Sequence, residues 1–337
     1  MLHLVSDVPP VDAPALPNYF GLGATLYVPA THPNLAAVLA GKKVPEARSI
    51  AVCLEDAVRE DELPRAMDNF ERALAAANSH PGRQGGRLCF VRPRSPALLL
   101  QLARMPDITA IDGFILPKAD ANNIGSYLDA AAAHPSLLLM PTIETTVAFS
   151  RDGLSALAES LQSVASRVLA VRIGGNDLLS ILRIRRTRGQ TIYDTPLRRV
   201  IDDVLCAFKP RGFEVSAPVL DIIDDIASLE REVALDVTRG LFAKTAIHPS
   251  QIRIIEAGYR PCTSEVAEAE RLVEAGARAV FRLNGRMCET STHTVWAEHT
   301  LLRAKLYGVN SVIHSVIAKA HPPTLSEHRV DGALDHR

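Results

Sequence analysis

The chain has 337 residues, 47% hydrophobic and 22% charged, which is enough apolar content for one large barrel with extensions or two smaller domains and argues against disorder. A formal net charge of -1 provides no long-range attraction for nucleic acid or an anionic membrane, so an anionic ligand has to be held by local groups. Cys53, Cys89, Cys206, Cys262 and Cys288 are odd in number and widely spread, and two of them fall in apolar runs, which favours reduced thiols in a cytoplasmic protein over disulfides or a zinc cluster.

Residues 1–20 carry Pro9, Pro10, Pro14 and Pro17 with little periodicity and read as an extended arm. They lack a basic start followed by a continuous apolar stretch, and no later run is long enough for a membrane helix, so neither secretion nor membrane insertion is expected. From there short runs rich in Val, Ile and Leu alternate with longer amphipathic stretches, the pattern of repeated βα units. The eight runs are Ala24 to Val28, Ile50 to Leu54, Leu88 to Val91, Gly113 to Leu116, Leu137 to Ile143, Val168 to Ile173, Glu214 to Val219 and Gly240 to Ile247. Helix-like segments between them include Asp61 to Ala77, Thr145 to Val164, Pro196 to Lys209 and Asp224 to Leu235. This order predicts an α/β fold, a (β/α)8 TIM barrel over residues 21–260. An open doubly wound sheet is disfavoured because no Gly-x-Gly-x-x-Gly turn follows the first strand.

After the eighth run, Glu265 to Ala275 reads as a helix stopped by Gly276, Val280 to Glu289 as a hairpin turning at Asn284-Gly285, and Trp296 to Tyr307 as another helix. Residues 261–320 are thus expected to form a C-terminal helix-hairpin-helix extension, serving as a lid or an oligomer contact. Residues 321–337, opening with Pro322-Pro323, read as an irregular tail.

Barrel active sites collect at the C-terminal ends of the strands, and here those ends are chemically loaded. The second run finishes in Glu55-Asp56, the third in Arg92, the fourth in Lys118, the fifth in Glu144, the sixth in Gly174-Gly175-Asn176-Asp177, and the eighth passes Lys244 to reach His248-Pro249. Helix capping explains any one of these acids but not Arg, Lys and Glu at the same end of successive strands. Glu144 and Asp177, one strand-helix-strand unit apart, suit a shared Mg²⁺ (Mn²⁺ being the alternative), which takes one or two carboxylates and leaves positions for water and substrate oxygens. Arg92 suits an enolate oxygen, and the Gly174-Gly175 turn suits a substrate carboxylate received by backbone N–H groups. Glu55 and Asp56 can act as acid or base or can hold Arg92 in place, the latter being favoured. Lys118 either pairs with one of these acids or meets an anionic substrate. Arg183, Arg185, Arg186 and Arg188 can bind a phosphate or polycarboxylate, or form a solvated helix end or a subunit contact.

Tyr27-Val28-Pro29, Leu54-Glu55-Asp56-Ala57-Val58, Val91-Arg92-Pro93, Leu116-Pro117-Lys118, Ile143-Glu144-Thr145, Gly174-x-x-Asp177-Leu178 and Ala246-Ile247-His248-Pro249-Ser250-Gln251-Ile252 follow one another over residues 24–257. In types and order this set resembles the citrate lyase β-subunit-like proteins, which belong with the HpcH/HpaI aldolases and malyl-CoA lyases in a superfamily of pyruvate and phosphoenolpyruvate enzymes. The resemblance implies a TIM barrel, Mg²⁺ on Glu144 and Asp177, Arg92 at the enolate oxygen, and a homo-oligomer (trimer or hexamer). It also implies a lid acid from the C-terminal part, for which Glu289 is the candidate. The chain departs from the family at Val28-Pro29-Ala30-Thr31-His32-Pro33, where Val-Pro-Gly and a basic residue are usual, and this bears on recognition of CoA.

The expected function is a Mg²⁺-dependent carbon-carbon lyase acting next to a pyruvate-like or acetyl-like enolate, with Glu55-Asp56 or a water on the metal as base. Its partner is a small anionic 2-oxo or hydroxy acid, free or as an acyl-CoA thioester. Two alternatives remain: hydrolysis of an acyl-CoA thioester at the same site, and a non-catalytic ligand-binding subunit of a larger complex.

Overall fold

The structure, a computed structural model, describes residues 18–78 and 86–310. Within residues 18–260, eight parallel strands follow the predicted runs: β1 Ala24–Pro29, β2 Ser49–Cys53, β3 Leu88–Arg92, β4 Gly113–Leu116, β5 Leu138–Ile143, β6 Val171–Ile173, β7 Val215–Ser216 and β8 Lys244–Ala246. They hydrogen-bond in the order β7-β6-β5-β4-β3-β2-β1-β8, and a further parallel bridge between Ala217 and Lys244 joins the two outer strands, closing the (β/α)8 barrel. Strands buried on both faces need apolar side chains on both, which is why β2 to β5 read as unbroken apolar runs rather than alternating ones.

The helices are α1 Leu35–Leu39, α2 Leu63–Asn78, α3 Pro96–Leu102, α4 Ile124–Ala130, α5 Arg151–Leu161, α6 Gly175–Ile181, α7 Leu197–Phe208, α8 Ile226–Thr238 and α9 Pro249–Gly258. Several start where the sequence supplies a cap: Ser95 Oγ accepts from the Leu98 N–H at 3.2 Å and Ser150 Oγ from the Gly153 N–H at 3.1 Å. Where one helix was read from Thr145 to Val164, the chain instead makes a 3-10 turn at Thr146–Phe149, α5, and a second 3-10 stretch in which Val164 leaves helical geometry.

Residues 1–17 of the expected arm and the tail from His321 lie outside the described residues. The last part of that arm is not extended: Tyr19–Leu22 forms a 3-10 turn capped by Asn18, with Tyr19, Phe20 and Leu22 buried, because three large apolar side chains find core to pack against.

Contacts divide the chain between Arg260 and Pro261 into two compact units, the first also taking Lys305–Tyr307. The second unit contains α10 Thr263–Val273, the antiparallel pair β9 Val280–Leu283 and β10 Arg286–Glu289, and α11 Thr290–Tyr307 up to Ala304. Its core is Ala269, Leu272, Cys288 and Ala297, flanked by Phe281, Leu283, Trp296 and Leu301. Asn284 (φ 50°) and Gly285 (φ 79°) both take the left-handed conformation that a type I′ turn requires. The final helix starts before Trp296 because Thr290 to Thr294, weak helix formers by type, follow the strand without a break; Thr294 Oγ1 donates to the Thr290 carbonyl at 2.5 Å.

Two positions read as part of the strand-end set are structural. Lys244 opens β8, which is shorter than the run Gly240 to Ile247, and its side chain is fully buried against α8. There Nζ donates to Glu232 Oε1 at 2.8 Å and Asp236 Oδ2 at 2.9 Å; Arg186 Nη1 donates to Glu232 Oε2 at 2.6 Å and the Tyr193 hydroxyl to Asp236 Oδ1 at 2.5 Å. Arg186 is therefore neither a solvated helix end nor an anion ligand, because Glu232 and the Val219 carbonyl already take its donors. Lys244→Met leaves two buried carboxylates facing one arginine, and is expected to cost about 3–5 kcal/mol of stability, read as a lower midpoint of urea unfolding. His248 caps α9 through Nδ1, which accepts from the Ser250 N–H at 3.2 Å.

Candidate active site

A cavity of about 470 Å³ opens at the C-terminal ends of the strands, lined among others by Tyr27, Asp56, Arg92, Glu144, Arg172 and Asp177. Asp56, Arg92, Gly174, Gly175, Glu144 and Asp177, singled out in the sequence, thus meet at one site. Glu55 and Lys118 stand directly behind it, joined to Arg92 and Asp56.

Arg92 ends β3 and is 9% exposed. Its Nη1 pairs with Glu55 Oε2 at 3.0 Å, its Nη2 with Asp56 Oδ2 at 3.2 Å and with Cys53 Sγ at 3.1 Å, and the guanidinium carbon lies 5.1 Å from the Tyr27 ring centroid. Lys118 Nζ pairs with Glu55 and stands 3.7 Å from Asp56 Oδ1. Glu55 is 5% exposed and shared by both cations, so it holds them in position, whereas half-exposed Asp56 faces the cavity. Burial raises the Glu55 carboxyl, and Arg92 and Lys118 offset only part of that rise.

Glu144 follows β5 and is 3% exposed. Its Oε1 accepts from the Lys118 backbone N–H at 2.8 Å, for which Lys118 adopts a φ of 52°. Gly174 packs directly on this carboxylate: a Cβ there would lie 2.3 Å from Glu144 Oε2 and 2.4 Å from its Cβ. Gly174→Ala is accordingly expected to displace Glu144 and lower stability by about 1–3 kcal/mol, measurable by thermal unfolding. The Gly174 amide is not available to a substrate carboxylate, because it donates to the Ile143 carbonyl at 3.0 Å and ties β6 to β5.

Burial, then the charge of Asp177, raises the Glu144 carboxyl to about 7. Asp177, on the first turn of α6, is raised by burial and then by Asp56. A buried and a part-buried carboxylate, both raised, with an all-oxygen donor set, fit a hard divalent cation. Among the described residues no group of three or more His, Cys, Asp or Glu could hold a metal, and Mg²⁺ is commonly bound through only one or two carboxylates. The chain matches, over residues 17–309, the family described as C-C bond lyase of the TIM-barrel fold.

The chain belongs to this C-C bond lyase family.

This lyase is 27% identical over 285 residues to a citrate lyase subunit beta-like protein of Mycobacterium tuberculosis, covering 83% of this chain and 94% of that one. It is 26% identical over 265 residues to a (3S)-malyl-CoA thioesterase of Cereibacter sphaeroides, covering 77% and 87%. Its fold is similar to that of protein CitE from Mycobacterium tuberculosis in complex with magnesium, acetoacetate and coenzyme A, with a TM-score of 0.61 at 23% identity over 84% of this chain and 98% of that one.

Tyr27, Thr142, Arg172 and Thr245 line the cavity and were not among the expected site residues. The available signal was polarity inside an apolar run: Val171-Arg172-Ile173 sets a charge in the middle of a strand buried on both faces. Of the arginine cluster, Arg183, Arg185 and Arg188 are exposed, and Arg188 pairs with Asp224 at 2.6 Å.

Proposed function

We propose that this lyase cleaves, or in reverse forms, a carbon-carbon bond next to the enolate of a pyruvate-like or acetyl-like acid, with Mg²⁺ held by Glu144 and Asp177. The observation that carries this reading is buried Glu144 and part-buried Asp177 lining the same cavity as Arg92. The magnesium and acetoacetate in the similar CitE structure support it. A bound divalent cation supplies Lewis-acid stabilisation of negative charge on a carbonyl oxygen, and Mn²⁺ has the same oxygen preference.

The remaining work falls to the chain's own side chains. Asp56 takes the proton from the substrate hydroxyl; as the carbonyl forms there, the carbon-carbon bond breaks and its electron pair moves into the enolate. Arg92 lies beside the developing oxyanion, with Glu55, Asp56 and Cys53 fixing its direction and Nε left without a hydrogen-bond partner among the described residues. In the synthetic direction Asp56 returns the proton to the new hydroxyl.

Calorimetric titration of pyruvate into wild type and into the Glu144→Gln/Asp177→Asn double variant, each with Mg²⁺, tests the metal site. Metal-dependent heat in wild type and none in the variant is expected; equal heats in both contradict the site and favour a binding subunit. The likeness to a (3S)-malyl-CoA thioesterase supports a second use of the site, with water as the acyl acceptor. Release of free CoA from an acyl-CoA without a cleaved carbon skeleton distinguishes that use. The loop bearing the Ala30 to Pro33 departure is fixed by Asn69, whose Nδ2 donates to the carbonyls of Ala30 at 2.7 Å and His32 at 3.0 Å.

The same reading places the lyase in the cytoplasm as a homo-oligomer (trimer or hexamer). All five cysteines are free, which suits a reducing compartment. Exposed Val280, Met287 and Val295 on the second unit offer apolar surface for assembly.

A further inference from the structure

Arg172 is the largest fully buried side chain, 2% exposed, and lines the cavity from inside the barrel. Its Nη2 donates to Thr245 Oγ1 at 2.6 Å, its Nη1 to Thr25 Oγ1 at 3.4 Å with Met140 Sδ at 3.8 Å, and its guanidinium carbon is 5.5 Å from the Tyr27 ring centroid. None of these neighbours is an acid, and among the described residues no carboxylate pairs with it. Every other cation of the site is matched, Arg92 and Lys118 by Glu55 and Asp56. A buried charge without a counter-charge is costly, so its retention calls for an anion that arrives from outside.

A second orphan lies beside it. Thr142 Oγ1, in a residue 4% exposed and lining the same cavity, has no hydrogen-bond partner among the described residues, and the β5–β6 register sets Thr142 directly opposite Arg172. Both residues sit two positions before the Glu144–Gly174 layer, which at the rise of a strand is about 6–7 Å deeper in the barrel. An acid held at its 2-oxo end near Glu144 and Asp177 has this layer within reach of a group at its far end.

We propose that Arg172 and the Thr142 hydroxyl form an anion subsite on the barrel floor that takes a second acidic group of the substrate, a carboxylate or a phosphate-type group. The substrate class is then a short 2-oxo acid, or its hydroxy adduct, with an acidic group at the far end. This rests on the metal-enolate reading of the same cavity.

The test is titration of pyruvate, oxaloacetate and phosphonopyruvate into wild type, Arg172→Met and Thr142→Val, each with Mg²⁺. These acids share the 2-oxo acid end and differ in carrying no second acid, a carboxylate or a phosphonate. Wild type is expected to bind one of the two doubly acidic ligands about 10- to 100-fold more tightly than pyruvate, the better one identifying the group the subsite takes. Arg172→Met brings that ratio close to one while leaving metal-dependent pyruvate binding unchanged, and Thr142→Val, which keeps volume and removes only the hydroxyl, lowers the ratio several-fold. The Thr142 variant carries the test if Arg172→Met does not fold. An unchanged ratio in the folded variants overturns the subsite while the metal site stands. No metal-dependent binding of any of the three acids to wild type overturns the metal-enolate reading and the subsite with it.

Discussion

Glu144→Gln is expected to lower kcat/KM for carbon-carbon bond cleavage on the order of 10³-fold and to abolish metal-dependent binding of the acid, with little loss of fold. Gln keeps the shape and can still accept from the Lys118 N–H, but it removes one of the two carboxylates proposed to hold the metal. A steady-state assay across metal concentrations separates this from a simple rise in metal requirement, because excess Mg²⁺ does not restore the rate. The same carboxyl gives the protein a pH signature. Its metal-free value of about 7 lies above the ordinary glutamate value near 4.3, so between these pH values the folded state holds more protons than the unfolded chain. Its contribution to stability is therefore present at low pH and lost as pH rises through about 7. In metal-free protein Glu144→Gln should flatten that loss, roughly 2 kcal/mol between pH 5 and 8. Metal binding, which needs the ionised form, weakens as pH falls below about 7 and releases a proton when measured there. Calorimetry in buffers of different ionisation heat reads that proton directly.

Arg92→Lys is expected to reduce kcat about 10²-fold while leaving metal affinity near the wild-type value. A lysine keeps the charge but cannot span Glu55, Asp56 and Cys53 at once, so the donor is no longer aimed. Arg92→Met goes further, since Glu55 loses one of its two cations while remaining 5% exposed; a stability loss of about 3–5 kcal/mol is expected by urea unfolding. Preserved folding in the Lys variant with lost kcat marks a role in the reaction, whereas unchanged kcat would reduce Arg92 to a packing element.

The strands were legible because a parallel sheet buried on both faces demands apolar runs, and each predicted run contains or overlaps its strand. Their ends were less so. The runs Val168 to Ile173, Glu214 to Val219 and Gly240 to Ile247 shrink to two or three paired residues, because hydrophobicity extends beyond the hydrogen-bonded ladder. That difference moved Lys244 from the middle of an expected run to a strand start, where it faces α8 instead of the cavity. The acids and Arg92 were legible because strand ends at one side of a barrel converge whatever the loop details. Arg172 was hidden for the opposite reason: a charge in mid-strand is inward or outward by one residue of register, which spacing alone does not decide. The Gly174 amide was equally hidden, since only the β5–β6 register reveals that Ile143 already takes it.

Enolate stabilisation by Glu144, Asp177 and Arg92 with a divalent cation is open to a direct test. Proton NMR of pyruvate in D₂O, with the lyase and Mg²⁺, follows exchange of the methyl hydrogens at this site without needing the natural substrate. Steady loss of the methyl signal is expected with wild type, stopped by omitting the metal or by Glu144→Gln, and slowed by Arg92→Lys. Exchange of equal rate in wild type and Glu144→Gln, or exchange indifferent to the metal, would contradict it.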